Sequence, residues 1–247
     1  MLKGLILAGG IATRLRPLTN VINKQLLPVY NKPLVYYPIE TLKAAGVTEI
    51  LLVSGKDHAG QFLSLLGSGK ELGVRISYEV QDTPGGLAQV LGMSEVFADG
   101  GDIMMILGDN IYEDIDVITQ GAEEFRQNEG GAMVFLKHVH DPERFGVAEI
   151  EDGKIVRVEE KPAKPKTDLA ITGLYMFDNR CYDVVRNLKP SARGELEITD
   201  VNQWYVDQGE MSYKILEGEW IDAGTFDSLL RANNFAARKW AETHPAA

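Results

Sequence analysis

The sequence is short of the groups that most often mark a compartment or a reaction. It holds one cysteine in 247 residues, Cys181, so no disulfide can form within the chain. That cysteine lies in CYDVVRNL, which reads as a helix, and is expected to be a packing residue; a reducing, cytoplasmic setting follows. Histidine is scarce, with four in the chain. His138 and His140 are two apart and share one face of an expected strand, but no third ligand accompanies them, so a zinc-type site is set aside. No serine sits in a Gly-x-Ser-x-Gly elbow, which removes the usual hydrolase signature. Cations are outnumbered, 25 Lys and Arg against 36 Asp and Glu, for a net charge of −11. No basic face is left to release counterions from nucleic acid, which excludes it as a partner. A few focused Arg and Lys residues can still hold a small anion. Apolar runs stop at strand length, so no membrane span is expected. The N-terminus enters an apolar strand at once, without a basic region or cleavage site, so no signal peptide is expected. Repeats, low-complexity stretches and linkers are also missing, and residues 1–247 read as a single domain.

What is present is an alternation. Leu2–Leu7, Glu49–Ser54 and Asp102–Leu107 are apolar, strand-length runs, and Arg75–Gln81 reads as a further strand. Helical patterns over Leu34–Ala45, Ala59–Leu66 and Leu87–Phe97 separate them. Apolar strands alternating with helices predict an α/β fold with a doubly wound, mostly parallel, Rossmann-like sheet. The second half is richer in strands: Ala132–Val139, Val147–Ile150, Lys154–Glu160 and Ile171–Phe177. Helices follow near Cys181–Leu188, Ile198–Gln208 and Phe226–Thr243. This region is expected to insert around the same sheet. Ligands of such sheets lie beyond the carboxyl ends of the strands. Three strand ends carry chemistry-bearing residues: AGG after the first, QDTPGG after the third, GDN after the fourth.

The first end continues as LAGGIATRLRPLT. Gly9 and Gly10 let backbone approach a ligand with no Cβ in the way, and N–H groups of such a turn can face an anion. Thr13 adds a hydroxyl, Arg14 a planar permanent cation, and Lys24 follows ten residues on. A plain β–α turn with surface cations would look similar. A dinucleotide fingerprint is excluded because no third glycine follows at the required step, and a P-loop because no Gly-Lys-Ser/Thr closes the turn. Nor does an acidic residue end the second strand to take a ribose; Ser54-Gly55-Lys56 stands there. Asp109 after a buried strand is a metal ligand or a helix cap; with Asp222 in EWIDAGT it could hold one Mg²⁺ whose other ligands are phosphate oxygens. Glu160 and Lys161 either close a strand facing a site or belong to a solvated charge run. Arg193 either faces the same site or decorates a helix start. Glu123-Glu124 reads as a solvated helix face.

Taken in order, LAGGxxTRLxPLT, KQLLPV, QDxxGGLAQ, LGDN, DPERFGV, EEKP, ITGLY, LKPSARGELEITDVN and WIDAGT resemble the sugar nucleotidyltransferases, and within them the glucose-1-phosphate thymidylyltransferases, over about residues 3–230. The resemblance implies that dTTP and α-D-glucose 1-phosphate give dTDP-glucose and pyrophosphate with Mg²⁺, feeding dTDP-rhamnose and related deoxysugars. It implies that residues 1–110 mainly bind nucleotide and that 111–247 form an inserted, strand-rich sugar-phosphate region with the final helix. Carried over by motif, Gly9, Gly10, Thr13 and Arg14 meet the nucleotide phosphates with help from Lys24, Gln81, Gly86 and Leu87 meet the base, and Leu7 and Gln25 also bind the nucleotide. Asn110, Gly146, Glu160, Lys161, Thr172 and Arg193 meet the sugar phosphate. Asp109 and Asp222 hold the metal, and Arg14, Lys24, Asp109 and Lys161 carry catalysis. A homo-oligomer is implied as well. The same chemistry on UTP or another nucleotide, and a non-catalytic nucleotide-sugar sensor, stay open at this point.

The chain also departs from the family pattern. The family turn usually reads Gly-Gly-x-Gly-Thr-Arg, and Ala12 fills its fourth place; if that residue needs φ > 0, alanine costs of order 1 kcal/mol. Ile11 stands where a small polar residue is usual, Gly85 where many relatives have Asp, and Phe145 where some have Tyr. The longer relatives carry a further helical tail that in some helps form an end-product site, so feedback through that site is not expected here.

Overall fold

The protein is described here from a computed structural model, over residues 1–10, 12–128 and 130–244. In chain order its elements are β1 (Leu2–Ala8), β2 (Pro28–Val29), β3 (Lys32–Pro33), α1 (Tyr36–Ala44), β4 (Glu49–Gly55), α2 (Ala59–Leu66) and β5 (Arg75–Gln81). Then come α3 (Leu87–Met93), α4 (Glu95–Ala98), β6 (Asp102–Leu107), β7 (Asn110–Tyr112), α5 (Ile115–Gln127) and β8 (Ala132–His138). The remainder comprises β9 (Gly146–Glu151), β10 (Lys154–Glu160), β11 (Leu169–Phe177), α6 (Cys181–Asn187), α7 (Ile198–Asp207), β12 (Met211–Ile215), β13 (Trp220–Asp222) and α8 (Phe226–Thr243).

Nine strands form one sheet, with β10-β9-β11-β6-β1-β4-β5 along its main path and β8 and β12 branching from β11. Seven of the nine point the same way; β10 and β11 run against them. The inner strands β1, β4, β6 and β11 are mostly apolar because both faces are covered, and their alternation sorts them into two cores. Leu5, Leu7, Ile103, Met105, Tyr175 and Phe177 pack with α3, α6 and α7. Ile6, Ala8, Met104, Ile106, Leu174 and Met176 pack with α1, α2 and α5. A fully buried Leu or Ile of these contributes about 1.5–3 kcal/mol relative to exposure. Cys181 is buried in the first core, as expected of a packing residue.

Register puts the suspect strand ends side by side: Ala8 pairs with Ser54, Gly55 with Gln81, and Leu7 with Leu107. On the other flank Leu174 pairs with Ile106 and Ala170 with Val147. The β9–β10 hairpin therefore starts where the parallel strands end and projects past them, with Gly146 and Glu160 paired at its base. Short β7 and β13 pair antiparallel beside this edge, setting Asp222 opposite Asn110.

Some boundaries differ from expectation. The first helix starts at Tyr36 rather than Leu34, because the Leu34 and Val35 amides donate to Leu27 O and Gln25 O. The helix expected over Leu87–Phe97 breaks at Ser94, whose buried hydroxyl donates to Leu91 O. Strand β8 stops at His138, so His140 does not share its face; His138 instead pairs with Asp168 at 2.9 Å. Among the described residues no helix is long and apolar enough to cross a membrane.

Candidate active site

The turn after β1 holds backbone that only special residues adopt. Gly10 has φ +96° and Ala12 φ +47°, both in the left-handed region. Ala12 is held there by its carbonyl, which accepts from Leu15 N (3.1 Å) and Thr19 Oγ1 (2.8 Å). The departure at this position thus carries the strain set out above. Ile11 lies outside the described residues. Thr13 and Arg14 stand exposed on the single 3₁₀ turn that follows. The next segment is bolted to the sheet by Asn23, whose Nδ2 donates to Ala8 O at 3.0 Å while Oδ1 accepts from Gln25 N at 2.8 Å. That cap starts the turn Lys24–Leu26 and aims Lys24 at Asp109, with which it forms a buried ion pair.

Asp109 is the centre of the site. Its Oδ1 accepts from Asn110 Nδ2 at 2.9 Å, and Asn110 Oδ1 accepts from Trp220 Nε1 at 2.5 Å. Burial alone would raise the Asp109 carboxyl, but the Lys24 ammonium and these hydrogen bonds hold it below the usual range. Asp222 is pushed up to about 6, by burial and by the charge of Asp109. Gly224 leaves room for Arg14 beside this pair: a Cβ there would stand 2.7 Å from Arg14 Nη2 and 2.9 Å from Asp222 Oδ1. Two crowded carboxylates with hard oxygen donors fit an oxygen-preferring divalent ion such as Mg²⁺. Among the described residues no group of three or more His, Cys, Asp and Glu could hold a metal, so protein would supply two ligands and leave the rest to phosphate and water.

A cavity opens on either side of this centre. One, of about 710 Å³, is lined by Gly10, Ala12, Lys24, Lys56 and Gln81 among others. Gly9 borders Gln81, since a Cβ on it would lie 3.0 Å from Gln81 Oε1. Gly86, at φ +98°, is pressed on Leu196 O, where a Cβ would come within 2.3 Å. The other cavity, of about 520 Å³, is lined by Asn110, Gly146, Glu160, Lys161, Arg193 and Trp220, and both Arg14 and Asp222 reach it. Here Glu160 Oε2 accepts from Thr199 Oγ1 (2.7 Å), and Oε1 receives Lys161 Nζ (3.0 Å) and Arg193 Nη2 (3.2 Å). Lys161 has φ +43°, a second strained non-glycine residue at the site. Arg193 forks onto Glu197 at 2.7 and 3.2 Å. Burial opposes ionisation of Glu197, yet the Arg193 guanidinium keeps its carboxyl below the ordinary range.

Several expected residues sit differently from the rest. Leu87, expected at the base, lines the second cavity. Gln25 is buried under the Gly108 turn and Leu7 is buried in the sheet, its carbonyl accepting from Gly108 N at 2.9 Å; neither lines a cavity. Thr172 is fully buried and its side chain faces away, because Ile171, Gly173 and Tyr175 are the strand residues that line the cavity. Residues outside the expectation also contribute. Gly173 sits where the β11 register shifts, and a Cβ on it would strike Leu107 Cδ1 at 2.6 Å and approach Asn110 Oδ1 at 3.0 Å. Asn202 on α7 lines the same cavity.

Comparison with known proteins agrees with this geometry. Residues 3–239 match the family model described as nucleotidyl transferase. A glucose-1-phosphate thymidylyltransferase of Neisseria meningitidis is 46% identical over 237 residues, 95% of this chain and 82% of that protein. The enzyme of that name from Mycobacterium tuberculosis is 46% identical over 239 residues, with the same coverage of 95% and 82%. A crystal structure from Bacillus anthracis, assigned as a glucose-1-phosphate thymidylyltransferase and solved with a sucrose, superposes with a TM-score of 0.91 at 49% identity, covering 96% of this chain and 95% of that one. A UDP-glucose pyrophosphorylase at 23% identity and TM-score 0.84, covering 97% and 100%, shares the fold. The chain belongs to the nucleotidyl transferase family, in the group that holds the glucose-1-phosphate thymidylyltransferases.

Proposed function

We propose that the chain catalyses transfer of the thymidylyl group of dTTP to α-D-glucose 1-phosphate, giving dTDP-glucose and pyrophosphate. The observation that carries this is the cluster of Arg14, Lys24, Asp109 and Asp222 between two cavities, one walled by the glycine turn and Gln81, the other by Glu160, Lys161 and Arg193. The names of relatives at 46% identity supply the substrates. An oxygen of the sugar phosphate attacks the α-phosphorus in line; the new P–O bond forms as the bond to the β-phosphate bridge breaks, and pyrophosphate leaves with the electron pair. The attacking oxygen is already ionised at neutral pH, so the chain needs no general base. Its task is to bring two polyanions together and to offset the charge that develops. Arg14 reaches the attacked phosphate, and Lys24 reaches the same centre from the turn side. Lys161 and Arg193 hold the sugar phosphate, and Glu160 accepts hydroxyls of the sugar. Asp109 and Asp222 hold Mg²⁺, which when bound offsets phosphate charge.

We place the reaction in the cytoplasm, where it feeds dTDP-deoxysugar synthesis. The chain works as a homo-oligomer; a monomer mass by light scattering would refute that. The test of function is pyrophosphate release with glucose 1-phosphate and Mg²⁺, run in parallel with dTTP, UTP, ATP, CTP and GTP. Turnover led by dTTP is expected. Preference for another nucleotide would overturn the base assignment, and no turnover with any would overturn the reaction.

A further inference from the structure

At the nucleotide end of the groove, two amides meet. Gln81 closes β5 and is only 9% exposed; Gln89 stands in the first turn of α3. Gln81 Nε2 donates to Gln89 Oε1 at 2.6 Å. Gln81 Oε1 faces the glycine turn, 3.0 Å from where a Cβ on Gly9 would stand. Glycine also permits the pairing from the other side. A Cβ at Gly85 would lie 2.6, 2.7 and 2.8 Å from Oε1, Cδ and Nε2 of Gln89, so the Gln89 amide rests against bare backbone. An Asp at this position would take the space the amide fills.

An amide alone is an ambiguous reader, because half a turn about its last bond exchanges acceptor and donor. With one N–H of Gln81 committed to Gln89, Oε1 and the remaining N–H reach the groove in a set order. With Gln89 packed on the Gly85 backbone and its Oε1 turned to Gln81, a half-turned Gln81 amide would bring Oε1 against Oε1, two acceptors with no proton between them. An acceptor beside a donor complements a base that offers a ring N–H next to a carbonyl. It opposes one that offers a bare ring nitrogen next to an amino group. Among pyrimidines the first pattern is thymine or uracil and the second is cytosine.

We infer that Gln89 is a positioning residue that orients the Gln81 amide, and thereby selects pyrimidine-dione nucleotides over cytosine nucleotides. The inference rests on the dTTP reading above and gives it a source of base selectivity. The experiment is equilibrium binding of dTTP and dCTP, without sugar phosphate, to the wild-type chain, Q89L and Q89E, followed by kcat/KM for each nucleotide. The wild type binds dTTP more tightly. Q89L, of similar bulk but without an acceptor, narrows the dTTP-to-dCTP ratio roughly three- to tenfold, the scale of one net hydrogen bond. Q89E keeps the wild-type ratio, because a carboxylate still accepts from Gln81 Nε2. A Q89L ratio equal to that of the wild type, or a Q89E ratio as narrow as that of Q89L, overturns the inference and leaves the nucleotide reading standing. A wild-type chain that does not distinguish dTTP from dCTP overturns the reading beneath it.

Discussion

Replacing Ala12 by glycine tests the account of the first turn. Ala12 sits at φ +47° and ψ +47°, held by two hydrogen bonds to its carbonyl. A left-handed residue with a Cβ costs roughly 1–2 kcal/mol. Glycine removes that cost but gives back roughly 0.5–1 kcal/mol through the greater freedom of the unfolded chain. The net gain is up to about 1.5 kcal/mol, which for a domain of this size corresponds to a rise of up to about 6 °C in Tm. Thermal melting by circular dichroism reads it directly, and urea unfolding should give a higher midpoint at unchanged slope. Because glycine also restores the usual family turn, pyrophosphate release should not fall. A variant that melts lower than the wild type would refute the reasoning, since it would mean that the methyl group contributes packing worth more than the strain it imposes.

Other perturbations address the site and the frame. Arg14→Ala should lower kcat by on the order of a hundredfold or more, the loss seen for one preorganised electrostatic donor; near-normal turnover would remove Arg14 from the mechanism. Asp222→Asn should raise the Mg²⁺ concentration for half-maximal turnover on the order of tenfold or more, and chelation of Mg²⁺ should stop the wild type, both read by pyrophosphate release. Glu197→Gln loosens the fork on Arg193, so the KM for glucose 1-phosphate should rise about tenfold with little change in kcat; an unchanged KM would show that Arg193 needs no such partner. Asp178 accepts from Gly131 N (2.6 Å), Tyr205 Oη (2.7 Å) and Arg180 Nη2 (2.6 Å). Burial would raise its carboxyl, but the hydrogen bonds from Arg180 and these partners hold it below the usual value. Its contribution is therefore fully present above an unfolded carboxylate value of about 4 and is lost as pH falls through the lower folded value. Asp178→Asn should cost about 2–3 kcal/mol near neutrality, with a gap to the wild type that closes in acid; a constant gap in urea midpoints from pH 7 to 2 would contradict this.

The central strand β6 was readable because burial on both faces leaves its interior apolar, and β5 because Ile76, Tyr78 and Val80 alternate with polar residues on an edge strand; both run over the residues expected of them. Strands β7, β12 and β13 escaped notice because they are short, and because β12 is specified by pairing with β8 rather than by a local pattern. In the site, Arg14, Asp109 and Asp222 were legible as charges placed after apolar residues at a turn, and Lys24 as a cation following the same glycine turn. Glu197 and Gln89 were not, since their roles depend on partners, Arg193 and Gln81, that only the fold brings close. Asn23 carried a usable signal, a capping residue just before the Lys24 turn. The side-chain direction of Thr172 could have been read from the alternation along its strand, since two neighbours and Tyr175 occupy the other face.

Strand β6, which ends two residues before Asp109, pairs on one side with β1 and on the other with β11. The glycine turn follows β1, and Gly173 and Tyr175 belong to β11, so both substrate compartments hang from neighbours of a single strand in the middle of the sheet. Backbone ladders of this kind open only with a large part of the molecule. The two compartments therefore cannot move apart as rigid bodies, and the spacing between donor and acceptor phosphates is set by the spacing of strands. Mobility during a catalytic cycle falls to what projects beyond the ladder, the β9–β10 hairpin. Entry and exit are then matters of this flap, while the distance over which the phosphorus is passed stays fixed.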